Sequence, residues 1–211
     1  MMPPNPYPTQ LNQASVALTH LLNKGIPPSN IIVAGDSAGA NLILQLGAHI
    51  LHPLSSISPP PTLTEPLAGG LLISPWNVYD VESPSYVRND KKDVLDLPCY
   101  MFISDVVKRG VDPKLQDYSE PISAPAGWLK GLDKVYSRFC ITVGDEECPF
   151  DQTKETRDVL SRYVSDTELV IEPGALHVEV IFKFASKEGG AGKDWDAIVA
   201  FSSKSLAGAS K

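Results

Sequence analysis

With 211 residues, 43% of them hydrophobic and 20% charged, the chain has enough apolar sequence for one substantial core and no composition break, so a single domain over residues 1–211 is expected. Eighteen Lys and Arg against 25 Asp and Glu give a formal charge of -7, and the basic residues form no stripe, which argues against a nucleic-acid partner. Three cysteines without metal-ligand spacing, and no apolar run near the roughly 18 to 20 residues of a membrane span, make a reducing, cytoplasmic setting the simpler expectation.

Pro3, Pro4 and Pro6 bar a helix or a central strand, so the chain opens extended, and it lacks the basic and apolar regions of a signal peptide. Leu11, Ala14, Leu18, Leu21 and Leu22 then recur at helical spacing, and Gly25 stands where that helix stops. Beyond the turn Pro27-Pro28-Ser29-Asn30, the apolar run at 31–34 reads as a strand. It meets Gly35-Asp36-Ser37-Ala38-Gly39 and is followed at once by a helix that extends to about Leu51. Strand, sharp turn and helix around G-x-S-x-G make a nucleophile elbow. The turn holds Ser37 in a strained conformation, and the helix N-terminus behind it favours developing negative charge. Gly35 and Gly39 are expected because a Cβ at either position would crowd strand or helix.

Residues 53–67, rich in Pro and Ser, read as an exposed loop, and a buried strand follows at 70–74. From 77 to 130 the periodicity is poor apart from one helix at 97–108, which predicts a lid-like excursion over a pocket. A third strand at 139–143 ends in an acidic turn; a helix at 151–163, a fourth strand at 167–171 and helices near 178–186 and 195–206 complete the chain. Strands alternating with helices imply an α/β fold with a parallel sheet, in which catalytic groups sit at the carboxyl ends of the strands.

A serine hydroxyl is a weak nucleophile unless a base takes its proton and a third group orients that base. His20, His49 and His52 fall on or at the ends of helices and read as packed or solvated residues. His177 alone occupies a loop directly after a strand, and the elbow's chain order of Ser, acid, His selects it as the base. For the acid, the turn after the third strand offers Asp145, Glu146, Glu147 and Asp151, and composition does not choose among them. Neither a ligand-spaced His/Cys cluster nor a phosphate loop occurs, so no metal or organic cofactor is called for.

Together, Gly35-Asp36-Ser37-Ala38-Gly39-Ala40-Asn41, Leu72-Ile73-Ser74-Pro75-Trp76, the acids in residues 144–151 and the late His177 resemble the hormone-sensitive-lipase-like branch of the α/β-hydrolases, most of all its fungal esterase and deacetylase members. The resemblance covers nearly the whole chain. In that branch the catalytic acid stands four residues before a second acid, which implies Glu147 as the triad acid and Asp151 as its structural companion; Glu147 departs from the usual Asp. The resemblance further implies that Ser37 attacks an ester carbonyl, His177 shuttles the proton and Glu147 orients the imidazole. The Ala38 backbone N–H would donate to the oxyanion. Trp76 would face the acyl or alcohol pocket, or else serve only as core packing.

The branch completes its oxyanion hole with a His-Gly-Gly-Gly-type loop, and no such motif occurs here. The opening Met2-Pro3-Pro4-Asn5-Pro6-Tyr7-Pro8 resembles the branch's extended stretch after an early strand. The chain is therefore expected to be the C-terminal portion of a longer hydrolase, lacking the N-terminal strands and leaving the strand at 31–34 with an unpaired apolar edge. The expected activity is hydrolysis of small or lipophilic carboxylic esters such as acetates, with a small-molecule ester as the only partner implied. The alternatives are a non-catalytic or impaired binding protein on the same fold, or an acyltransferase using the same triad.

Overall fold

Four short apolar runs form four strands, β1 (Ile32–Asp36), β2 (Gly69–Ile73), β3 (Phe139–Gly144) and β4 (Thr167–Glu172). All pair in parallel in the order β1-β2-β3-β4, and the register sets Asp36 beside Ile73, Ile73 beside Thr142 and Gly144 beside Glu172. The carboxyl ends of the strands therefore lie in one row. The computed structural model describes residues 6–187 and 192–207; the expected extended opening lies, up to residue 5, outside them.

Eight helices accompany the strands among the described residues: α1 (Thr9–Asn23), α2 (Ala38–Leu51), α3 (Pro84–Arg88), α4 (Leu97–Gly110), α5 (Gln116–Ser119), α6 (Phe150–Ser161), α7 (Glu179–Ser186) and α8 (Lys193–Leu206). Alternation of side chains along each strand divides the core in two. On one face Val33, Leu72, Phe139 and Ile141 pack with Leu11 and Leu18 of α1, Ile43 and Leu44 of α2 and Leu160 of α6. On the other, Ile32, Leu71, Ile73 and Cys140 meet Phe201, Ala197 and Ile198 of α8. Helix α8 lies along β3 and β4, and Ala34 and Asp36 of β1 are exposed.

β1 and β4 are the edge strands of the described sheet. The Ser37 N–H donates to Ile73 O, and Ile31 O accepts from Ala68 N–H, so odd-numbered residues of β1 face β2. The N–H and C=O groups of Ile32, Ala34 and Asp36 then point to the free edge.

The long segment between β2 and β3 is built mainly from short pieces. Beyond the expected helix α4 it contains α3 and α5, which are too short to show a helical period in sequence. Trp76, Tyr79, Tyr86 and Tyr100 form an aromatic cluster with Cys148 at the carboxyl end of the sheet. No helix among the described residues is long and apolar enough to cross a membrane.

Candidate active site

Ser37 closes β1 and caps α2 with φ +51° and ψ -119°, a conformation a side-chain-bearing residue rarely adopts. Its backbone is fixed on three sides: its N–H donates to Ile73 O at 2.9 Å, and its carbonyl accepts from Ala40 N–H at 3.1 Å and Trp76 N–H at 3.2 Å. Gly35 makes this turn possible, because a Cβ there would lie 2.5 Å from the Gly39 carbonyl. Gly39 corrects the expectation from sequence: a Cβ there would meet nothing within 4 Å, because that side of the residue opens onto a cavity rather than onto β1.

His177 follows β4 in the loop before α7. Its Nε2 lies 2.9 Å from Ser37 Oγ, across 140 residues of chain, and its Nδ1 lies 3.0 Å from Glu147 Oε2. His177 is 2% exposed and Glu147 0%. Glu147 stands in the turn after β3, where Oε1 accepts from Gly144 N–H at 2.6 Å and from the Ser74 hydroxyl at 2.7 Å. Burial pushes the Glu147 carboxyl above the ordinary carboxylate range, opposed by the hydrogen bond and charge of His177 and by the Gly144 and Ser74 donors. With Nδ1–H donating to the carboxylate, Nε2 is left free to accept the serine proton.

The other acids of the turn point elsewhere. Asp145 accepts from Gly174 N–H, and Glu146 is half-buried and pairs with Lys92. Asp151 accepts from Ser85 N–H and pairs with Arg88 and Lys154, all outside the Ser37–His177 pair. Cys148, next to Glu147, is no rival nucleophile, because burial and nearby carboxylates push its thiol up to about 12.

Ala38 is the first residue of α2, so its N–H points out of the helix N-terminus beside Ser37, without an intrahelical partner. Next to it lies a cavity of about 360 Å³ lined by Tyr7, Ala38, Leu42, Trp76, Val107 and Val111. Trp76 is 4% exposed in the aromatic cluster, 5.0 Å from the Tyr79 ring, and it also forms part of the cavity wall. The other histidines lie apart. His20 is exposed, His49 is buried between Leu54 N–H and Ser58 O, and His52 stacks on Trp128 at 4.0 Å. Among the described residues no His, Cys, Asp or Glu group is placed to hold a metal.

Three residues about the site carried no signal of their own in the sequence. Ser74 sits inside the quoted Leu72-to-Trp76 motif yet shows no chemistry there. Asp93 accepts from His177 N–H and Cys148 N–H, both at 2.8 Å, and Asn89 donates to the carbonyls of Asp145 and Glu147. Both belong to the segment between α3 and α4, which is thereby tied to the loops of the acid and the histidine.

A family model described as the alpha/beta hydrolase fold matches residues 1–181. The chain belongs to that family. This α/β hydrolase is similar to an acetyl-hydrolase of Streptomyces hygroscopicus, 30% identical over 154 residues that cover 72% of this chain and 46% of the relative. It is also similar to an esterase of Acinetobacter venetianus, 28% identical over 162 residues, covering 75% and 47%. Its fold is that of an esterase from the bacterial hormone-sensitive lipase family, at a TM-score of 0.76 and 24% identity, over 97% of this chain and 62% of that one. A hormone-sensitive lipase from a metagenome library matches at a TM-score of 0.71 and 21% identity, over 99% and 64%. The α/β hydrolase described here thus spans about half the length of these curated relatives.

Proposed function

We propose that this chain acts as a serine carboxylester hydrolase, with Ser37 as nucleophile, His177 as general base and acid, and Glu147 as the group that orients the imidazole. The observation that carries the reading is the continuous relay from Ser37 Oγ to His177 Nε2 at 2.9 Å and from Nδ1 to a buried carboxylate at 3.0 Å. Buried groups without a chemical task do not ordinarily line up so at the ends of three different strands.

In the proposed reaction, Ser37 Oγ attacks the ester carbonyl carbon while its proton passes to His177 Nε2. Glu147 remains ionised and stabilises the imidazolium. The carbonyl oxygen becomes an oxyanion beside the Ala38 N–H, where the N-terminus of α2 favours negative charge. Collapse of this intermediate breaks the bond to the alcohol, which leaves with the proton from Nε2. Water then attacks the acyl carbon as His177 takes its proton, and the C–O bond to Ser37 breaks as Nε2 returns that proton to Oγ, releasing the acid. The cavity beside Ala38 is lined largely by apolar groups, which suits a small acyl or lipophilic alcohol part, with Trp76 as its wall and the 77–130 excursion as its lid. Acetate esters are the first substrates to try, given the similarity to an acetyl-hydrolase.

A fluorophosphonate probe on the purified chain tests this. Labelling is expected on Ser37 alone and is expected to vanish in Ser37→Ala. A folded chain that takes no label would point instead to a binding protein on the same fold. Competing alcohols in the assay would divert the acyl group if the enzyme is a transferase.

A further inference from the structure

The hydroxyl of Ser74 is placed between the two halves of the relay. Ser74 follows β2 directly, is 3% exposed, and has φ +45°, a conformation unfavourable for any residue with a Cβ. Its Oγ donates to Glu147 Oε1 at 2.7 Å and accepts from the Val178 N–H at 3.0 Å. Val178 is the residue next to His177, and at φ +53° and ψ +23° it is a β-branched residue in the left-handed region. Two disfavoured conformations therefore face each other across one hydroxyl, which binds the acid on one side and the backbone of the histidine loop on the other. The Ser74 N–H donates to Thr142 O at 2.8 Å, which anchors the residue to β3.

We propose that Ser74 is a positioning residue of the relay: its hydroxyl fixes the Glu147 carboxylate and holds Val178 in the left-handed turn that aims His177 at Ser37. The inference rests on the triad reading of the same site. Without the hydroxyl, Oε1 keeps only the Gly144 N–H, and the Val178 N–H loses the acceptor that opposes relaxation of its backbone. His177 then rotates with the loop, and displacement of about 1 Å in such a site costs on the order of 100-fold in rate.

The test compares Ser74→Ala with Ser74→Gly. Both lack the hydroxyl, but glycine adopts the positive φ freely. Two readouts are taken: the rate of fluorophosphonate labelling, and the downfield proton resonance of the imidazole Nδ1–H bound to the carboxylate. Both variants are expected to label roughly 10- to 100-fold more slowly and to lose or broaden that resonance. A glycine variant with wild-type labelling and a wild-type resonance would overturn the proposal, because the residue would then matter for its backbone alone. Should either variant fail to fold, Ser74→Cys keeps the side-chain shape with a thiol that is a weak donor and acceptor. It is expected to label at least about fivefold more slowly, and wild-type labelling would overturn the proposal equally. If the wild-type chain takes no label, the hydrolase reading fails, while the Nδ1–H resonance still decides the role of Ser74.

Discussion

At Glu147, the proposed function and stability pull in opposite directions. Its carboxyl titrates above the unfolded value near 4.5 because burial outweighs its donors. The folded chain therefore binds this proton more tightly than the unfolded chain does. The stability it contributes is present below pH 4.5 and is lost as pH rises through the raised folded value. Glu147→Gln is expected to lose less stability than wild type as pH is raised over that window, measured by thermal unfolding. Its amide N–H would donate to Nδ1 and leave Nε2 protonated, so esterase kcat is expected to fall about 10⁴-fold. His49 carries the opposite sign. Burial lowers its pKa from 6.5, and Nδ1 already accepts from Leu54 N–H, so it resists the proton that the unfolded chain takes up. Its contribution is full above 6.5 and is lost as pH falls through the lowered value; His49→Gln is expected to flatten that part of the stability profile. Ser37 and His177 could be picked from residue type and chain order. The acid could not, since Asp145, Glu146 and Glu147 differ only in which way the turn after β3 points them, and that depends on the approach of the histidine loop.

At the scale of the element, the loops are as constrained as the strands they follow. A Cβ on Gly144 would lie 2.1 Å from the Ala175 carbonyl, so the acid turn and the histidine loop touch backbone to backbone. The elbow contrasts its two glycines. Gly35→Ala is expected to cost about 1–3 kcal/mol or more through the clash with Gly39, together with loss of labelling. Gly39→Ala, in open space in the first turn of α2, is expected to hold or raise stability by about 0.5–1 kcal/mol, as alanine does in a helix. Paired thermal melts of the two variants check both. The long elements α1, α2, α4, α6 and α8 were legible because their apolar periods run for 12 residues or more. The short helices α3 and α5 were not, nor were Ser74 and Asp93, whose partners lie 104 and 84 residues away in sequence. A pattern within a window carries no record of such contacts.

For the molecule as a whole, parallel pairing of the four strands follows from strands alternating with helices, whereas their order does not, and the free edge of β1 was expected from the early position of the elbow. What sequence did not reveal is how unevenly the second face is covered. With α8 over β3 and β4, Ala34 is exposed on the strand whose outer N–H and C=O groups pair with no other strand among the described residues. Such an edge templates pairing with another chain. The protein is expected to self-associate with rising concentration in sedimentation, and Ala34→Lys is expected to reduce this while leaving the Ser37 labelling rate unchanged.

The relay draws one group from the end of each of β1, β3 and β4, with Ser74 after β2, and the loop at 53–66 separates the first strand from the other three. A cut in that loop would put Ser37 on one fragment and both Glu147 and His177 on the other. On the proposed reading, neither piece alone would hydrolyse an ester, and turnover would require the two fragments to meet. If the chain hydrolyses esters as proposed, its architecture is a ready-made split reporter, in which activity counts encounters between whatever two proteins the halves are fused to.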